Sequence, residues 1–131
     1  MRIKRLDHLV LTVADPDRTT EFYTRVLGMR DVTFGSGRRA LAFGEHRINL
    51  RVAGRERGPE AARPTPGSAD LCLLLDGSLD DASAALARHG VPVEVGPVER
   101  DGALSTLVSL YVRDPDGNLI ELSVYPGADD D

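Results

Sequence analysis

Four polar side chains draw attention because of where strand periodicity sends them: His8, Arg51, Asp70 and Glu121. Each lies in a short run whose apolar residues alternate, so that one side of the run is claimed by hydrophobic packing and the other is left for polar work. Leu9, Leu11 and Val13 take one side of the first run and leave His8, Val10 and Thr12 on the other. By the same alternation Ile48, Leu50 and Val52 leave Asn49 and Arg51, and Leu71, Leu73 and Leu75 leave Asp70, Cys72 and Leu74. Ile120, Leu122 and Val124 leave Leu119, Glu121 and Ser123. One imidazole and two carboxylates on strands offer a nitrogen and several oxygens, a donor set that suits divalent Mn, Ni, Fe, Co or Zn. Three protein ligands leave open positions where such an ion acts as a Lewis acid on two adjacent oxygens of a small substrate.

Arg51 does not belong to that donor set. A guanidinium stays protonated and has no lone pair to give. Fixed about 4 Å from a divalent ion, it would repel it by roughly 8 kcal/mol at an effective dielectric near 20. Either its head turns away along the flexible stem, where it can clamp a carboxylate or phosphate of a substrate, or it replaces the metal by pairing with Glu121 or Asp70. Each of the other residues also has a plain reading. His8 can be a strand histidine hydrogen-bonded to a carboxylate, Glu121 a partner for Arg51, and Asp70 a cap at a strand start. His46 beside a Gly-Glu turn is expected at the surface, His89 at a helix C-terminus, and Cys72 as a small packed residue. Arg38, Arg39, Arg100 and Arg113 are further polar candidates near these polar faces, with solvated surface as their plain reading.

The elements that must position these residues are written twice. The strand from Leu6 to Val13 is followed by Asp15-Pro16-Asp17, an N-cap, a proline at the first helical position and an acid in the first turn. Phe22, Val26 and Leu27 give the helix an apolar stripe and Gly28 ends it. Strands are predicted near 29–34, 39–43 and 47–52, separated by glycine-containing turns. In the second half a strand over 70–75 precedes Ser78 and Asp81, which resemble a capping box, then a stripe of Ala82, Ala85 and Leu86, and Gly90. Strands are predicted at 91–95, 108–113 and 118–124, with Asp114-Pro115-Asp116-Gly117 as a hairpin turn. A shift of about 62 residues superposes His8 on Asp70 and Gly28 on Gly90. The predicted organisation is one domain over 1–126, with module one at about 4–53, a Gly- and Pro-rich connector at 54–68, module two at 69–125, and an acidic tail at 127–131.

Bulk properties narrow the partners. The chain has 131 residues and a formal charge of -5 with its basic residues scattered, so neither nucleic acid nor an anionic membrane finds a basic footprint. No apolar run approaches the roughly 20 residues of a membrane span, and the N-terminus runs straight into a strand pattern without a signal peptide. A lone cysteine fits a reducing compartment, and the expected location is the cytoplasm.

The stretches Leu6-Asp7-His8-Leu9-Val10-Leu11, Glu21-Phe22-Tyr23 through Leu27-Gly28-Met29, and Arg113-Asp114-Pro115-Asp116-Gly117-Asn118-Leu119-Ile120-Glu121-Leu122 resemble the vicinal-oxygen-chelate superfamily. That superfamily includes glyoxalase I, fosfomycin- and bleomycin-resistance proteins, extradiol dioxygenases and methylmalonyl-CoA epimerase. Phe43-Gly44, Ile48-Asn49-Leu50, Pro64-Thr65-Pro66-Gly67-Ser68 and Gly96-Pro97-Val98-Glu99-Arg100 look closest to a glyoxalase-domain-containing subgroup. The resemblance implies an α+β fold of two βαβββ modules whose curled mixed sheets surround a pocket. It implies that His8 is the first-strand metal ligand and that Glu121 is the last-strand ligand and catalytic carboxylate. Asp70 stands where many members carry a second histidine. At Arg51 the pattern departs from glyoxalase-type members, which place a ligand there, whereas fosfomycin-type members do not. The function so implied is a metal-dependent glyoxalase- or dioxygenase-like enzyme acting on an oxygenated small molecule, with Arg51, Cys72 and Val10 as substrate-binding residues. The alternative is a metal-free, bleomycin-resistance-like protein that sequesters a small molecule. A homodimer is implied as well, with the pocket built either within one chain or across two.

Overall fold

The structure is a computed structural model that describes residues 1–55 and 58–127. Most of the expected acidic tail, residues 128–131, lies outside the described residues. The chain divides into two units, Met1–Ser68 and Ala69–Asp131.

In the first unit, β1 (His8–Val13) leads into α1 (Pro16–Glu21), whose start is set as the sequence suggests. The Asp15 carboxylate accepts from the backbone N–H groups of Asp17 at 3.0 Å and Arg18 at 3.3 Å, satisfying two donors that a helix start leaves free. A single π-helical turn, Phe22–Val26, follows directly. The wider turn makes Tyr23 the anchor: it is fully buried, while Phe22, Val26 and Leu27, the expected stripe, are only half-buried. Gly28, at φ 75°, closes the segment in the left-handed region that favours glycine. Then β2 (Arg30–Phe34), β3 (Arg38–Phe43) and β4 (His46–Val52) complete a sheet of order β1-β4-β3-β2, in which only the β1–β4 pair is parallel.

The second unit repeats this plan. β5 (Asp70–Leu74), α2 (Leu79–Arg88), β6 (Val95–Asp101), β7 (Thr106–Arg113) and β8 (Leu119–Val124) form a sheet of order β5-β8-β7-β6, with β5–β8 as the parallel pair. Both sheets are open, four-stranded and mixed, which is the α+β architecture expected. The Ser78 hydroxyl caps α2 by accepting from Asp81 N at 3.1 Å. One strand is displaced from its predicted place. Of the run at 91–95, residues 91–94 are a connection, and the strand begins at Val95 and passes through Gly96-Pro97. Pro97 reads as a strand breaker in sequence, but β6 is an edge strand, where a residue without an N–H is tolerated, and the register shifts between Val95 and Val98 to absorb it.

Each sheet packs one face against its own core. Leu11, Val13, Leu41 and Ile48 are buried in the first unit, and Leu86, Leu110, Val112, Ile120 and Leu122 in the second. Burying each such side chain contributes roughly 1.5–3 kcal/mol, which pins the alternation and so decides which residues the opposite face presents. Among the described residues no helix is long and apolar enough to cross a membrane.

Candidate functional site

Strand register places the candidate residues. In the second unit Cys72 pairs with Glu121, which in turn pairs with Tyr111, so all three share one face of the sheet. Asp70 opens the same face, and a turn fixes it there. Asp114 accepts from the backbone N–H groups of Asp116 and Asn118, each at 2.9 Å, and from the Asn118 amide at 2.8 Å. The Asn118 side-chain oxygen then accepts from Ala69 N at 2.8 Å, locking the start of β5 beside β8. The Asp-Pro-Asp-Gly segment is therefore a turn, as expected, and its buried Asp and Asn also set the height at which Asp70 stands beside Leu119.

Two clefts open on this face, of about 570 Å³ and 300 Å³. Glu121, Tyr111 and Arg100 border both; Cys72, Leu74 and Tyr125 line the larger, and Asp70 and Glu94 the smaller. The structure thus brings Asp70 and Glu121 to one cleft. Glu121 is held from below: the fully buried Ser109 hydroxyl donates to its Oε2 at 2.6 Å, and Ser123, also buried, lies 3.3 Å from the same oxygen. Arg100 donates through Nε to the Tyr111 hydroxyl at 3.1 Å, with its guanidinium carbon 5.5 Å from the ring centre. With its oxygen accepting from Arg100, the Tyr111 O–H is left to donate elsewhere. Burial pushes the Cys72 thiol up from its ordinary pKa; its bond to Ser123, with sulfur and oxygen 3.3 Å apart, opposes this, and the Glu121 and Asp70 charges add to it. Cys72 is a free thiol at an exposed position, not the packed residue expected.

In the first unit the corresponding face carries His8, Val10 and Thr12, with their partners Arg47, Asn49 and Arg51. His8 is partly exposed and its Nδ1 lies 2.8 Å from the Asp7 carboxylate, whose pKa is held below the usual carboxylate value chiefly by that bond. A carboxylate on Nδ1 favours the tautomer that turns Nε2 outward as a lone-pair donor. Val10 is 41% exposed. The Arg51 guanidinium donates to the Pro59 carbonyl at 2.8 Å, so its head is directed toward the connector.

Register also identifies the first-unit counterpart of Glu121. The 62-residue shift matches Val10 to Cys72, and their strand partners are Asn49 and Glu121, so the counterpart of Glu121 is Asn49. Arg51 instead matches Ser123, through Thr12 and Leu74. Asn49 is 5% exposed, and its Oδ1 is buried without a hydrogen-bond partner. The repeat thus has a neutral amide where its second copy has a carboxylate.

Of the other arginines named from sequence, two are fastened elsewhere. Arg39 bonds Asp17 at 2.7 Å and Thr20 at 2.9 Å, and Arg113 bonds Glu94 at 3.0–3.1 Å and the Gly117 carbonyl at 3.2 Å. His46, tilted against Phe43, is exposed as expected, and His89 stands at the C-terminus of α2, also as expected. Sequence reasoning missed Ser109 and Tyr111; the signal was their period-two spacing opposite the buried Leu110 and Val112.

Within either unit, among the described residues, no three His, Cys, Asp or Glu side chains form a ready metal cluster. The individual donors nonetheless suit a divalent ion, because an outer partner orients both the imidazole of His8 and the carboxylate of Glu121.

Residues 5–122 match the family model described as the Glyoxalase/Bleomycin resistance protein/Dioxygenase superfamily. The glyoxalase domain-containing protein RDO1 of Mycosarcoma maydis is 52% identical over 128 residues, covering 98% of this chain and 72% of that protein. Virulence protein STM3117 of Salmonella typhimurium is 50% identical over 95% of this chain and 87% of its own length. Its crystal structure superposes with a TM-score of 0.93, covering 95% of this chain and 99% of that one. An integron cassette protein from the mobile metagenome of V. cholerae has 54% identity and a TM-score of 0.93, covering 95% of this chain and 98% of that one.

Proposed function

From the premise that this chain belongs to the Glyoxalase/Bleomycin resistance protein/Dioxygenase superfamily, we propose that it is a divalent-metal-dependent enzyme acting on a small oxygenated molecule. Members of the superfamily often use divalent metals, and proteins of this fold bind small-molecule ligands and often dimerise. The observation that carries the proposal is the support built under Glu121: a fully buried serine hydroxyl at 2.6 Å fixes one carboxylate oxygen at the centre of an open, cleft-bearing face. A carboxylate serving only as surface charge has no need of buried donors beneath it, whereas a ligand or base must be held to within a fraction of an ångström.

His8, Asp70 and Glu121 would hold the ion, His8 through the nitrogen that Asp7 leaves outward. When bound, a divalent metal polarises the oxygens of a chelated substrate and lowers the cost of developing negative charge on them. The remaining work falls to this chain's own side chains. Glu121 is placed to accept a proton from substrate through the oxygen that Ser109 does not hold. Tyr111, its own oxygen satisfied by Arg100, donates its O–H to a substrate oxygen in the larger cleft. Cys72 and Leu74 wall that cleft, and Val10 is the matching position of the first module. A raised thiol pKa makes Cys72 a neutral wall rather than a nucleophile at neutral pH.

The metal-free binding protein is a second reading, supported by the stacking of Arg100 on Tyr111 beside the exposed Leu74 and the half-buried Tyr125, since an aromatic and cationic wall holds a ligand without an ion. Calorimetric titration with Mn²⁺ and Ni²⁺ separates the two. The enzyme reading expects one ion per chain, with affinity lost in His8→Ala and Glu121→Ala and reduced in Asp70→Ala. Folded protein that takes up neither ion overturns it in favour of the binding protein.

A further inference from the structure

The first unit has an opening of its own, away from His8, that four arginines border. An open cleft of about 650 Å³ lies where β3 begins and β4 ends, and Arg38, Arg39, Arg51 and Arg55 line it together with Pro59. Arg51 is the strand partner of Thr12, four residues along β1 from His8, so the cleft sits roughly 13 Å along the sheet from the imidazole at about 3.3 Å per residue. Arg39 is neutralised by Asp17, but among the described residues no carboxylate lies within 4 Å of Arg38, Arg51 or Arg55. Among the described residues, three guanidinium groups without a carboxylate within 4 Å therefore border one opening in a chain whose net charge is -5. Two of the three heads are already held. Arg51 gives one N–H to the Pro59 carbonyl, and Arg38 rests over the Phe34 ring at 4.9 Å. Holding them in advance reduces the ordering that a ligand must otherwise impose.

We propose that this cleft is an anion site for the phosphoryl group of a small phosphorylated molecule. Guanidinium forks match the oxygens of phosphate and carboxylate alike, but three positive charges favour the dianionic phosphoryl group over a single carboxylate. The volume falls within the range of small-molecule sites and leaves room for an organic group beyond the phosphate. The site uses none of His8, Asp70 or Glu121, so it stands apart from the proposed metal chemistry.

The test is calorimetry on the full chain with phenyl phosphate, inorganic phosphate and malonate, all in EDTA so that no metal contributes. The expected result is one phenyl phosphate per chain, bound more tightly than malonate. Arg51→Ala and Arg55→Ala should each weaken it about 10- to 100-fold, the range for losing a charge-assisted bond, while Arg88→Ala on α2 leaves it unchanged. Arg55 is exposed, its one bond to the described residues runs from its backbone N–H to the Val52 carbonyl, and alanine keeps that bond, so Arg55→Ala keeps the test open if Arg51→Ala fails to fold. Absence of phosphate binding, equal losses in Arg88→Ala, or malonate binding as tightly as phenyl phosphate would each overturn the proposal.

Discussion

Replacing Ser109 by alanine removes a hydroxyl that is fully buried and serves two neighbours, Glu121 Oε2 and Ser123 Oγ, each at 2.6 Å. The lost bond to a charged acceptor is worth about 1.5–3 kcal/mol when the acceptor is desolvated. Glu121 is only half-buried and water can replace part of that bond, so a loss of about 1–2 kcal/mol is expected. For 131 residues, at about 2.1 cal/mol/K of unfolding entropy each, this corresponds to a fall in Tm of roughly 4–7 °C. The functional effect should be larger in proportion, because outer partners of metal ligands typically control 10- to 100-fold in metal affinity. Thermal unfolding and Mn²⁺ titration of Ser109→Ala, Glu121→Gln and the double variant form a cycle. If the bond is charge-assisted, the cost of Ser109→Ala should shrink by about 1 kcal/mol once Glu121 is neutral. Equal cost in both backgrounds, with metal affinity unchanged by Ser109→Ala, would refute the idea that Ser109 exists to hold Glu121.

Other consequences follow from the same geometry. Cys72 should react with iodoacetamide more slowly than a free thiol at pH 8, with its rate still rising at pH values where a free thiol has levelled off; a rate matching free cysteine contradicts the raised pKa. Ile120→Ala, at a fully buried position on the strand that carries Glu121, should cost about 2–5 kcal/mol in denaturant unfolding, and a cost below 1 kcal/mol would show that the core is not packed there. Asp7 has a pKa below its unfolded value, so its bond to His8 adds stability above the ordinary carboxylate range and loses it as pH falls through the lowered value. Asp7→Asn should therefore flatten the acid limb of the stability profile, and an unchanged limb counts against the bond.

Much of this arrangement is legible in the sequence because it is written twice. Alternation assigned the polar faces of β1, β4, β5 and β8, and Asp15-Pro16 and Ser78 marked the helix starts where their side chains do cap. The rest depended on pairing that no single strand encodes. Period two sends both Asn49 and Arg51 to the polar face, and only the register with β1 shows which is the counterpart of Glu121. Pro97 disguised β6, since whether a proline is tolerated depends on the strand being at an edge. Tyr23 replaced Phe22 as the buried anchor through a π-helical turn, and helical spacing gives no sign of a one-residue widening. The direction of Arg51 was open in sequence because a long flexible stem can reach several acceptors; the carbonyl that holds it belongs to the connector, which has no periodicity to read.

The central claim, that His8 gives its outward nitrogen to a divalent ion, is tested most directly by pulsed EPR of the protein loaded with one equivalent of Mn²⁺. The chain has three histidines, of which His46 and His89 are assigned no role, so each has a clear control. A directly coordinated ¹⁴N signal is expected that persists in His46→Ala and His89→Ala and vanishes in His8→Ala. No nitrogen coupling in the wild-type protein, or a coupling that survives His8→Ala, would contradict it.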